Sequence, residues 1–228
     1  LSYGARRHSS TASFAKDKEM NFRQKYVPQS YDDLVIADPD LKFIVAEYCE
    51  GNLDHHLLLY GPPGTGKSEM ARIIAEAPVR GGHFDRIHAS DAAEEFEDRV
   101  LNSLSLQSIG ASVRPCFVID EVDDLPQKLQ PTLAKLLENH SYGTFICTTN
   151  NIHRLNAKMA DRMSAYKVLP PTGADCLDRA HWIMSQELGD CDKQLLAETL
   201  ADFSGSIRQM MDFLELLVRK RRVTATLT

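Results

Sequence analysis

No stretch of this sequence is apolar for the roughly 18 consecutive residues that a membrane-spanning helix needs, which argues against a helical membrane span. Positive charge is short relative to negative. The 228 residues carry 26 Lys and Arg against 32 Asp and Glu, a formal net charge of −6. The simplest signature of a nucleic-acid binder, a strongly basic domain, is therefore missing. A local basic surface is still compatible with that balance, because phosphate contacts need only a few placed cations. Arg6 and Arg7 near the start, and Arg219, Lys220, Arg221 and Arg222 near the end, form small clusters that read as solvated tails. Cysteine is sparse and unpatterned: Cys49, Cys116, Cys147, Cys176 and Cys191 are odd in number and form no C-x-x-C, and the eight His show no ligand spacing. Neither a disulfide framework nor a zinc site is expected, and a reducing compartment, cytoplasmic or nuclear, fits this usage. Cys116 and Cys147 fall in apolar runs and read as small core residues. Residues 1–20 lack an acid before Asp17 and lack an apolar h-region. They read as a tail: disordered, left over from expression, or the remnant of an organelle-targeting segment.

What is present is alternation. Short apolar runs at His56–Tyr60, Phe84–Ala89, Cys116–Asp120, Thr144–Thr148 and Ala165–Leu169 read as strands. Helical patterns at Lys67–Glu76, Ala92–Leu104 and Pro126–His140 separate them. Strands alternating with helices predict an α/β fold, a parallel sheet covered on both faces in three layers. Pro170 and Pro171 then punctuate the chain, and only helical patterns follow, at Asp175–Leu188, Lys193–Phe203 and Ser206–Val218, with Gly189 and Gly205 as stop signals. The expected organisation is a tail over 1–20, an α/β domain over 21–170, an all-helical lid over 171–222 and a short tail over 223–228.

The most informative stretch is LLLYGPPGTGKSEMARII, Leu57 to Ile74. Gly61, Gly66, Lys67 and Ser68 fit G-x-x-x-x-G-K-[ST] between a strand and a helix, the context that gives the pattern meaning. The loop Gly61, Pro62, Pro63, Gly64, Thr65, Gly66 lets backbone N–H groups converge on phosphate oxygens, and the helix N-terminus adds positive potential. Lys67 then reaches the β- and γ-phosphates and the Ser68 hydroxyl a Mg²⁺ ion. The run CFVIDEVDDL delivers Asp120 and Glu121 to a strand's C-terminal end, where open parallel sheets bind ligands. Asp120 is the candidate Mg²⁺ holder and Glu121 the candidate base for an attacking water. Asp123 and Asp124 read as a solvated turn with a helix cap.

These motifs, GPPGTGKS and VIDEVD with the later TTNN, resemble those of AAA+ ATPases, a P-loop fold followed by a helical lid. Three smaller matches resemble the clamp-loader branch of that family: KYVPQSYDDLV (Lys25–Val35) its N-terminal box, HASD (His88–Asp91) the segment after its second strand, and GSIRQMMDFLE (Gly205–Glu215) its sensor-2 helix. The resemblance implies that Asn150 is sensor 1, although Asn150 and Asn151 also read as a turn. It implies that Arg162 completes a neighbouring subunit's site in trans, that Arg208 reaches the γ-phosphate of its own subunit, and that adenine lies near Tyr26, Val35 and Ile36, between box and lid. The chain departs from the branch at Val27 for Arg, Asp161-Arg162-Met163 for Ser-Arg-Cys, Ala134 for Arg and His88 for Asn. The resemblance stops after the lid, where clamp loaders continue into a helical collar.

The expected activity is Mg²⁺-dependent hydrolysis of ATP to ADP in a homo- or hetero-oligomer. The expected client is a ring-shaped clamp on DNA, in replication or repair. A helicase-loading, initiator or mobile-element ATPase, and a nucleotide-holding subunit with little turnover, are the alternatives.

Overall fold

The computed structural model describes residues 21–80, 84–89, 98, 116–138 and 143–226. The tail over 1–20 lies outside them, as do Ser90 and Asp91 and, apart from Asp98, the helix read over Ala92–Leu104.

Five parallel strands make one sheet: β1 (Leu57–Tyr60), β2 (Phe84–His88), β3 (Cys116–Asp120), β4 (Thr144–Thr149) and β5 (Ser164–Lys167), in the order β2-β3-β4-β1-β5. Every residue of β3 and β4 is buried, as are Leu57, Leu58 and Leu59. That is why these strands read as continuous apolar runs: a parallel sheet is covered on both faces. Alternate side chains still go to opposite sides. Leu58, Phe117, Ile119, Phe145 and Cys147 pack with α4 (Gln130–Glu138). Leu57, Leu59, Cys116, Val118 and Ile146 pack with α2 (Pro39–Glu50) and α3 (Lys67–Glu76). A four-residue helix α1 (Phe22–Lys25) precedes the core, and α5 (Ala157–Ala160) leads into β5. Burial pushes the Cys116 and Cys147 thiols up to about 12, as fits inert core residues.

Local chemistry sets the ends. In α2, Asp38 accepts from the backbone N–H groups of Asp40 and Leu41, Pro39 opens the helix and Gly51 closes it at φ 81°. The pattern read from Pro126 becomes a helix only at Gln130. Pro131 has no N–H to donate back to residue 127, so it sits in the first helical turn and Pro126–Leu129 form a turn instead.

Three helices follow β5: α6 (Gly173–Leu188), α7 (Lys193–Leu200) and α8 (Ile207–Thr226). They close on a third apolar cluster, of Cys176, Ala180, Ile183, Leu196, Met210 and Leu214, into which Tyr26 also inserts. Helix α8 continues to Thr226, across residues read as a tail from 223. Its Arg and Lys are good helix formers, and Arg222 is anchored to Glu187 on α6.

Candidate active site

Gly61 follows β1 directly, and a Cβ there would lie 2.3 Å from the backbone oxygen of Val168. Only glycine lets the loop leave the sheet at that point. At Gly64, φ is 77° and a Cβ would meet Ser206 at 2.7 Å, because the start of α8 docks on the loop: the Ile207 N–H donates to the Gly64 carbonyl at 2.9 Å. The loop is pinned from within by Thr65, whose hydroxyl donates to the Pro62 carbonyl at 3.0 Å. Lys67, 6% exposed, donates from Nζ to the Gly61 and Pro62 carbonyls at 2.9 and 2.7 Å. Burial pushes its ammonium below the ordinary lysine range, against the pull of Asp123 and Glu121.

Asp120 is fully buried at the end of β3, and both of its oxygens are engaged. Oδ1 accepts from the Thr148 hydroxyl at 3.0 Å, and Oδ2 accepts from Arg86 Nε at 2.6 Å. Glu121, next along, has φ 53° and is the one non-glycine residue with positive φ among the described residues. Its N–H donates to Thr148 Oγ1 at 3.1 Å. This left-handed turn puts Glu121 in the wall of the cavity while Asp120 stays in the sheet, a backbone strain of the kind that gathers at functional sites. Asp123 is not a solvated turn residue: it is buried, and its carboxylate accepts from the Asn150 N–H at 3.4 Å. Asp124 caps no α-helix, because α4 begins six residues later; it faces Arg154 at 3.5 Å. Asn151 supplies the turn, accepting from the His153 N–H, and leaves Asn150 at the cavity.

The cavity, about 330 Å³, lies between the sheet's C-terminal edge, the N-terminal box and the lid. It brings together Pro63, Gly64, Gly66, Lys67, Ser68, Glu121, Asn150 and Arg208 with Tyr26 and Val35. Gly61, Pro62, Thr65 and Asp120 do not line it: Pro62 is exposed and the other three are buried. Ile36 is a correction: it does not line the cavity. Leu34 and Val35 line the cavity, and Ile36, next along, packs against the α2–α3 cluster instead. Arg162 is not brought to this cavity. It precedes β5, whose Ser164 pairs with Leu57 at the start of β1, whereas the loop follows the end of β1. At about 3.3 Å per residue the strand separates them by about 13 Å. Arg162 instead pairs with Glu138 and donates to the Lys158 carbonyl.

Sequence reasoning missed Arg86, Thr148, Arg179 and Glu187. Arg179 pairs with Asp33 and donates to the Tyr26 carbonyl, and its guanidinium lies 4.4 Å from the Trp182 ring centroid. Glu187 accepts from Lys25, the Tyr26 hydroxyl and Arg222. The available signals were an Arg in an apolar strand and an acid near the end of an amphipathic helix.

The family described as "ATPase family associated with various cellular activities (AAA)" matches residues 57–170. "Replication factor C small subunit 1" of Pyrobaculum arsenaticum is 27% identical over 176 residues, 74% of this chain and 53% of that protein. Human "Replication factor C subunit 5" is 24% identical over 207 residues, 88% of this chain and 61% of that protein. The Thermotoga maritima RuvB Holliday junction branch migration motor superposes with a TM-score of 0.61 at 18% identity, over 78% of this chain and 59% of that one, a likeness of fold. The chain thus spans little more than half the length of these relatives. With the family matched from β1 through β5, on a five-stranded parallel sheet whose glycine loop and acidic strand end face one cavity, this chain belongs to the AAA family of ATPases.

Proposed function

We propose that the cavity binds ATP with Mg²⁺ and that the chain hydrolyses it in an oligomer, as a clamp-loader-like ATPase acting at DNA. The carrying observation is that Lys67, Glu121, Asn150 and Arg208, from four separate segments, meet at one cavity between sheet and lid. The likeness to Replication factor C subunits over most of the chain supports the clamp-loader assignment. Adenine lies against Tyr26 and Val35, and the phosphates follow the loop to the N-terminus of α3.

Ser68 and Asp120 are hard oxygen donors of the kind Mg²⁺ takes. Each Asp120 oxygen accepts one hydrogen bond and keeps a lone pair, which suits contact through the ion's water shell. Bound there, Mg²⁺ neutralises phosphate charge. Glu121 orients the attacking water and takes its proton. Asn150 positions that water, and Lys67 and Arg208 neutralise the charge that develops on the transferred group.

Arg162, remote from its own cavity, serves a neighbour's. A finger supplied in trans is worth roughly 10³–10⁵ in rate, or about 4–7 kcal/mol. Arg162→Ala should therefore keep ATP affinity and lose most turnover in the assembled state. Equal turnover of the two assembled proteins rejects the assignment. Turnover stimulated by primed DNA with a sliding clamp supports clamp loading, whereas stimulation by single-stranded DNA or a helicase alone points to helicase loading. A second reading, a subunit that holds nucleotide with little turnover, is favoured by Asp120 and Arg162 both being ion-paired within the chain. Tightly co-purifying nucleotide with no turnover under any of these conditions selects it.

A further inference from the structure

Asp120 is the acid that the proposed reaction needs for Mg²⁺, and it already has a cation. Arg86 stands on β2, paired in register with Val118, and His88 with Asp120. Arg86 therefore lies one diagonal step from Asp120 on neighbouring strands, within reach for a long side chain. Ile87 packs on the α4 side of the sheet. Arg86 thus shares the opposite face with Val118 and Asp120, the face on which α3 and the phosphate loop sit. Its Nε donates to Asp120 Oδ2 at 2.6 Å, while its side chain stays about one-third exposed. A fully buried carboxylate needs compensation, and Arg86 supplies the charged part of it.

We propose that Arg86 is a positioning residue that competes with Mg²⁺ for Asp120 and so sets the magnesium concentration at which nucleotide binding tightens. The inference rests on the ATP reading of the cavity and deepens it. Two cations on one carboxylate repel each other, so the ion's shell meets an acid whose charge Arg86 has partly neutralised. Nucleotide held by Lys67 and the loop amides consequently depends less on Mg²⁺ than Asp120 alone would make it. Thr148, which donates to the other Asp120 oxygen, is uncharged and leaves this balance to Arg86.

The test titrates Mg²⁺ into the full chain with a fluorescent ATP analogue and follows affinity, with no turnover involved. Manganese binding, followed by paramagnetic resonance, reports on the ion directly. In Arg86→Met the Mg²⁺ midpoint should fall about tenfold, the scale at which outer partners tune metal sites. Arg86→Lys, which keeps the charge, should stay near the unaltered midpoint. Arg86→Gln guards against loss of folding in the methionine variant, which melting curves reveal, and must shift the midpoint the same way. A midpoint unchanged or raised in the neutral variants overturns the role of Arg86 while leaving the nucleotide site intact. Failure of the unaltered chain to bind the analogue at any Mg²⁺ concentration overturns the ATP reading itself, and this inference with it.

Discussion

The Thr148 hydroxyl does two things at once. It donates to Asp120 Oδ1 and accepts from the Glu121 N–H, so it holds the two acids at a fixed offset around the left-handed turn. Without it the Glu121 N–H loses its acceptor and the turn loses the contact that offsets its strain. Thr148→Val has nearly the same shape but can do neither. It should lower stability by about 1–3 kcal/mol, the cost of stranding buried polar groups. It should also reduce turnover well beyond any change in nucleotide affinity, because in the proposed reaction Glu121 meets the attacking water rather than the resting ligand. Melting curves give the first quantity, and turnover at saturating ATP gives the second. Turnover equal to that of the unaltered chain would mean that Glu121 is placed by something other than Thr148.

At the scale of elements, two glycines of the helical lid separate backbone conformation from packing. Gly173 opens α6, and a Cβ there would lie 1.9 Å from the Leu200 carbonyl oxygen at the end of α7. Gly189 closes α6 at φ 80°, with nothing within 4 Å of its Cβ position. Backbone conformation alone tolerates Ala at 173, the first residue of α6, and disfavours it at 189, where φ is positive. Contact reverses that order: Gly173→Ala should melt well below Gly189→Ala, since two helices must separate to admit the methyl. The opposite ranking would show that α6 and α7 are not packed as described. The same contrast explains what could be read from the sequence. The buried strands and the phosphate loop were legible because their signals are local: apolar runs, and four residues within an eight-residue spacing. Arg86, Thr148 and Asp123 were not, because their roles depend on β3 lying between β2 and β4, partners about 30 residues away whose order no local pattern states. Ile36 was misplaced for a related reason, since the point at which this segment leaves the cavity for the α2–α3 cluster is set by packing that its own sequence does not state.

The whole molecule is held around its cavity by α1 and the segment that follows it to Val35, which together grip both sides. Arg72 on α3 donates to the Pro28 carbonyl, while Arg23 reaches Asp212 on α8 and Asp33 pairs with Arg179 on α6. Glu187 is the most buried of these acids, 6% exposed, and takes Lys25, Tyr26 and Arg222 together. Burial alone would raise its pKa, but the bonds from Lys25 and Tyr26 and the charge of Arg222 hold it below the usual carboxylate range. A carboxylate with a depressed folded pKa contributes stability that is complete above its unfolded value and is lost as pH falls through the folded one. Glu187→Gln should therefore cost about 1–2 kcal/mol at neutral pH, a figure kept small because Lys25 and Arg222 are half exposed. The gap between variant and unaltered chain should close as acid protonates Glu187. Because Tyr26 forms both the latch and the cavity wall, nucleotide affinity should weaken in the same variant. Melting temperatures of both proteins from neutral to acid pH, with nucleotide affinity at neutral pH, decide the matter. A gap that persists unchanged into acid would assign the loss to shape rather than charge, and unaltered affinity would detach the box from the nucleotide site.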